Sequence, residues 1–181
     1  MTERRHEGTS VSTERRRALK PITQAGVATA LQKAHRYRLL NDSIAAESIC
    51  LDVLAIEPTN VEAIMMHVLA ITDQFPGGHA AERHRADEAA SLLTDPYRHA
   101  YYRGVICERW AKALLLRVGH HSKEMAYGWI DKALDWYEKA EELRAPGNDE
   151  AILRWNACLR ILQRVPHIRP REDEAWEPSL E

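Results

Sequence analysis

The segment Pro58-Thr59-Asn60-Val61-Glu62-Ala63-Ile64 recurs 88 residues later as Pro146-Gly147-Asn148-Asp149-Glu150-Ala151-Ile152, with five of seven positions identical. In each copy a proline stops one helix, an asparagine offers its side-chain oxygen to the orphan amides of the next, and a glutamate favours the positive end of the new helix dipole. A chain that uses one helix-to-helix joint twice is constrained to stack helices in series. Repeated helical hairpins stack into open superhelices with a long concave face, which suits binding better than catalysis.

The remaining composition fits this reading. With 181 residues the chain suits one domain with its own core. Glycine and proline, eight of each, gather at a few punctuation points instead of recurring every few residues as in a strand-and-turn protein, so an all-α fold is expected. A net charge of −2 gives no global attraction to nucleic acid or to an anionic membrane. The start of the chain, Met1 to Gly8, has charge but no apolar stretch, and no run is long enough to span a bilayer. Cys50, Cys107 and Cys158 form no CxxC pair, and their odd number fits a reducing compartment, so a cytoplasmic protein is expected.

Punctuation predicts about seven helices: Thr23–Leu40, Asp42–Ile56, Asn60–Phe75, His79–Leu93, Tyr97–Val118, Ser122–Leu143 and Asn148–Gln163. Asn41-Asp42-Ser43, Pro76-Gly77-Gly78 and Asp95-Pro96 mark the joints between them. Residues 1–22 read as a flexible basic arm, 23–164 as the helical domain, and 165–181 as a flexible acidic tail carrying Glu172, Asp173, Glu174, Glu177 and Glu181.

Taken in pairs, the helices resemble the tetratricopeptide repeat family, whose unit of about 34 residues follows W-x2-L-G-x2-Y, then A-x3-F, then P. The second part appears as Ala46-x3-Cys50 before Val53 and Pro58, as Ala133-x3-Tyr137 before Ala140 and Pro146, and more weakly as Ala86-x3-Ala90 before Leu93 and Pro96. Ala34 with Tyr37, and Gly104 with Cys107, match the G-x2-Y part. The resemblance covers about residues 24–164. It implies a right-handed α-solenoid of antiparallel helix hairpins, three repeats and a capping helix. The spacing departs from the family: Pro58 to Pro96 spans 38 residues and Pro96 to Pro146 spans 50, so the third hairpin is longer than its neighbours. Val68 also stands where a small residue is expected.

The resemblance further implies that the first helix of each hairpin lines a groove. The expected stripe is Leu31, His35 and Arg38, then Met65, Leu69 and Asp73, then Arg98, Tyr101, Val105, Glu108 and Arg109, with Leu153 and Arg160 from the last helix. This mixed apolar and basic surface suits an amphipathic or extended protein segment with some carboxylates. It lacks the lysine and asparagine set with which some members hold a terminal carboxylate. Trp110, Trp129 and Trp136 fall in the long hairpin, where they either pack on it or form an interface for a homo-oligomer or an enzyme-complex subunit. A secretion-type chaperone, also a small all-α protein of about three repeats, is a further version of the same reading.

Signatures of catalytic or metal chemistry are lacking in the sequence. The sets His120, His121, Glu124 and His79, Glu82, His84, Asp87 lack zinc-ligand spacing, so no metal is expected. No phosphate cradle, dinucleotide fingerprint, nucleophile elbow or calcium loop occurs, and no catalytic residue or cofactor is assigned. Tyr97-Arg98, Tyr101-Tyr102-Arg103 and Arg109-Trp110 pair aromatics with cations as base-stacking surfaces do, but helix packing uses the same pairs. Glu62, Asp73 and Glu108 nearby weigh against nucleic acid.

Overall fold

A computed structural model of the chain describes residues 18–77, 80–117 and 120–165. Most of both charged arms lies outside these residues. Among the described residues the fold is all-α, with no strand and seven α-helices: α1 (Val27–Leu39), α2 (Ser43–Ile56), α3 (Val61–Thr72), α4 (Ala80–Ser91), α5 (Pro96–Leu115), α6 (His120–Leu143) and α7 (Glu150–Arg164). Each helix packs on the next, while α1 also meets α3 and α3 meets α5. That pattern makes a stack of antiparallel hairpins, an α-solenoid, with the first helix of each hairpin touching the first helix of the following one.

The joints form from short capping residues. At the end of α1, Asn41 adopts φ 60°, the left-handed conformation that asparagine tolerates. Its amide donates to Arg38 O at 3.0 Å and the Asp42 amide to Tyr37 O at 2.9 Å, a Schellman closure of the helix. Asp42 then caps α2, accepting from the Ala45 amide at 3.1 Å. Asn60 caps α3 through the Ala63 amide at 2.9 Å, and Asp95 caps α5 through the Arg98 amide at 2.8 Å with Pro96 in the first turn.

The second copy of the duplicated joint is built differently. The cap position of α7 is Asp149, one residue past Asn148, and its side chain makes no capping bond. Asn148 instead accepts from the Glu150 amide at 3.2 Å, and Gly147 turns the chain with φ 82°. Arg144 clamps this turn, reaching Asn148 O at 3.2 Å and Asp149 at 2.6 Å. Ala63 and Ala151 nevertheless both lie fully buried.

The small residues of the repeat pattern lie buried where helices pack together. Ala34, Ala46, Ala86, Ala133 and Ala140 are buried, and Gly104 of α5 faces the Tyr137 ring of α6 so closely that a Cβ there would lie 2.5 Å from it. Val68, larger than the pattern's small residue, is also fully buried. The main core runs from α3 to α7 around Phe75, Ile106, Trp110, Ile130 and Tyr137, with Phe75 set edge-on to Trp110 at 5.4 Å. The first hairpin packs on α3 through smaller clusters around Cys50 and Leu31.

Two charged residues are buried, one on α2 and one on α5. Glu47 is held by Arg85 and by Gln74 at 2.6 Å. Glu108, fully buried, accepts from Tyr137 Oη at 2.6 Å and from Lys112, with Arg154 at 3.4 Å. Burial alone would raise the Glu108 carboxyl. The hydrogen bonds from Lys112 and Tyr137, with the charges of Lys112 and Arg154, outweigh it and hold the group below the ordinary range.

Candidate functional site

The odd-numbered helices converge on one trough of about 790 Å³. From α1 comes Arg38; from α3, Met65 and Leu69; from the start of α5, Tyr97, Arg98, Tyr101, Tyr102, Val105 and Arg109; from α7, Glu150 and Arg154. Asp95, Leu143, Ala145 and Asn148 complete the walls from the joints. Pro96 and the Asp95 cap set the phase of α5, so residues spaced three and four apart, at 98, 101, 105 and 109, face the trough along one stripe.

The arginines are fixed from behind. Arg38 Nε lies 2.7 Å from Asp73 Oδ2, and Arg109 pairs with the other Asp73 oxygen and donates to Thr72 Oγ1 at 2.8 Å. One carboxylate thus braces two guanidinium groups contributed by α1 and α5 across the intervening α3. Burial opposes the Arg154 charge, but Glu108 and the Tyr101 hydroxyl outweigh it and raise its pKa. Arg98 is exposed at the rim and has no ion-pair partner among the described residues. Three tyrosines make the apolar wall: Tyr97 stacks on Tyr101 at 6.0 Å, and Tyr101 meets Tyr102 edge-on at 5.4 Å. Burial pushes the Tyr102 hydroxyl up to about 12, so it remains a neutral donor at physiological pH. The Tyr97 hydroxyl is buried beside Asn148 without the geometry of a hydrogen bond.

Of the residues expected to line a groove, Arg38, Met65, Leu69, Arg98, Tyr101, Val105 and Arg109 border this trough, Val105 as a fully buried floor. Leu31 does not: it points into the core beside Val53 and Ala63, because α1 turns its apolar stripe toward α2 and α3. His35 is exposed on α1 away from the trough. Asp73 lines a smaller adjoining hollow of about 230 Å³ that shares Arg109 with the trough. Glu108 faces the interior instead of the groove. In α7 the expected Leu153 and Arg160 are exposed elsewhere, and Glu150 and Arg154 border the trough in their place. Tyr97 and Tyr102, marked in the sequence only as aromatic–cation pairs, Glu150, marked only as part of the duplicated joint, and Arg154, which no motif marks, also border the trough. The signal for them is helical spacing: Tyr97 precedes Tyr101 by one turn, and Glu150 and Arg154 stand one turn apart on α7.

The tryptophans of the long hairpin are largely occupied within the chain. Trp110 is a core residue, 4% exposed, and presents no surface for an interface. Trp129 lies under Arg83 at 4.8 Å and Lys132 at 4.4 Å, and Trp136 under Arg103 at 5.3 Å and Lys139 at 4.7 Å. Asp87 joins the two arginines, 2.5 Å from Arg83 and 3.0 Å from Arg103. The result is a ladder Trp129, Arg83, Asp87, Arg103, Trp136 that ties α4 and α5 to α6.

The cysteines are free and buried; burial pushes the Cys50 and Cys158 thiols up to about 12 and the Cys107 thiol to about 11, against thiolate chemistry near neutral pH. Among the described residues no group of three or more His, Cys, Asp or Glu side chains converges on a metal position, although His79 and the His120 side chain lie outside them. No described helix is long and apolar enough to cross a membrane.

Fold and site together define an all-α stack of helical hairpins with an arginine- and tyrosine-lined trough. Comparison with family models, with curated proteins and with solved structures finds no match.

Proposed function

We propose that the chain is a non-catalytic adaptor resembling the tetratricopeptide repeat proteins, and that the trough holds an extended or amphipathic segment of a partner protein bearing carboxylates. The observation that carries this reading is the convergence of α1, α3, α5 and α7 on a single trough whose tyrosine wall is edged by braced arginines. Arginine held in a fixed orientation loses little entropy on meeting a carboxylate, and tyrosine adds contact area with few rotatable bonds. The raised thiol pKa values weigh against a cysteine nucleophile and so favour a binding role over a thiol-based reaction. Free buried thiols suit the cytoplasm.

Affinity capture with the full-length protein, beside Tyr101→Ala and Arg98→Glu, tests the proposal. Partners held by the trough fall away in both variants, whereas equal recovery by all three proteins removes the reading.

A further inference from the structure

We propose that the trough is occupied in the free protein by the chain's own acidic segment Glu172–Glu177, so that a partner must displace an internal competitor. The inference rests on the binding role proposed for the trough and names the chemistry of its ligand: a run of carboxylates with an aromatic anchor, Glu172-Asp173-Glu174-Ala175-Trp176-Glu177.

Reach permits it. Ala151, in the first turn of α7, packs with Ala100 of α5, and Arg154 meets Glu108, so α7 runs in the direction of α5 along the trough. Val165, just past α7, therefore lies about 16 Å beyond Arg154 at 1.5 Å per residue. The seven residues from Val165 to Glu172 span up to about 23 Å when extended, enough to turn back to the trough. A smaller hollow bounded by Arg109, Lys112 and Leu116 adjoins the trough at Arg109.

Charge selects the same segment. Arg38 and Arg109 are already paired with Asp73 and Arg154 with Glu108, so among the described residues of the trough the cation open to a further carboxylate is Arg98. Arg98 at the rim lacks a partner of its own among the described residues. The segment brings four carboxylates, and Trp176 matches the tyrosine wall.

The test uses a fluorescein-labelled synthetic peptide of residues 166–181 and three full-length proteins: wild type, the tail reversal Glu172→Lys/Asp173→Lys/Glu174→Lys, and that reversal with Arg98→Glu. A short tether supplies an effective concentration on the order of 1 mM; for a separate-peptide Kd on the order of 0.1 mM, internal competition weakens apparent binding by about tenfold. Anisotropy is thus expected to give about tenfold tighter binding to the tail-reversed protein than to wild type, and loss of that binding with Arg98→Glu. Misfolding does not mimic this loss, since residue 98 is the third of α5, where glutamate favours the helix, and circular dichroism checks it. Equal affinity for wild type and the tail reversal overturns the inference, as does no binding to either. A mass by light scattering that rises with concentration for wild type but not for the tail reversal also overturns it, in favour of tails exchanged between two copies. A panel of unrelated acidic-aromatic peptides separates the two readings: Arg98-dependent binding of the panel without the tail peptide leaves the trough as a partner site and removes only its internal occupant.

Discussion

At Gly104 an added methyl group would meet the Tyr137 ring at 2.5 Å, and the ring cannot retreat because it is fully buried and its hydroxyl is bonded to Glu108. Helix propensity favours alanine over glycine by about 1 kcal/mol, whereas overpacking a closed core costs about 1–3 kcal/mol. Gly104→Ala is therefore expected to lose up to about 2 kcal/mol in urea denaturation, the opposite sign from an exposed helix glycine. Glu108 gives a second prediction. Its pKa is depressed by folding, so the stability it contributes is present above the unfolded value of about 4.3 and is lost as pH falls through the lower folded value. Glu108→Gln, which removes the charged acceptor of Tyr137 and Lys112, is expected to cost about 2 kcal/mol near pH 7. That difference from wild type should narrow below about pH 4.3, as a pH series of denaturation midpoints would reveal.

Among the elements, the two copies of the duplicated joint are expected to respond unequally to the same substitution. Asn60→Ala removes a true cap bond to the Ala63 amide and is expected to cost about 1 kcal/mol. Asn148→Ala loses only the longer contact to Glu150 and should cost well under half as much, because Arg144 and Gly147 hold that turn independently. Thermal melts of the two variants compare them directly. Helix number and most helix ends were legible in the sequence because proline, asparagine and aspartate act locally: Asp42, Asn60 and Asp95 cap where their chemistry places them. What depends on distant packing was not. The inward turn of Leu31 and the burial of Trp110 are decided by neighbouring helices, and the first residue of α7 is set by a glycine turn whose neighbour Asn148 resembles a cap. Much of the trough was still readable, because spacing along α3 and α5 survives small errors in helix ends.

For the molecule as a whole, serial packing distributes stability unevenly. The core is broadest between α3 and α7, where the tryptophan ladder also ties α4, α5 and α6, while α1 and α2 rest on smaller alanine-rich clusters. Stacked units open from their weakest end, so hydrogen exchange is expected to be faster in the amides of α1 than in those of α5 and α6. Uniform protection along the chain would mean a single cooperative block instead. The duplicated joint also carries a rule for anyone who would lengthen this stack by splicing in another unit. Ala63 and Ala151 are the buried partners of each other's sequence copy, although their helices begin one residue apart. A graft keyed to the alanine would seat its inner face correctly, whereas one keyed to the first turn would arrive rotated by about 100° and offer the wrong face to its neighbour.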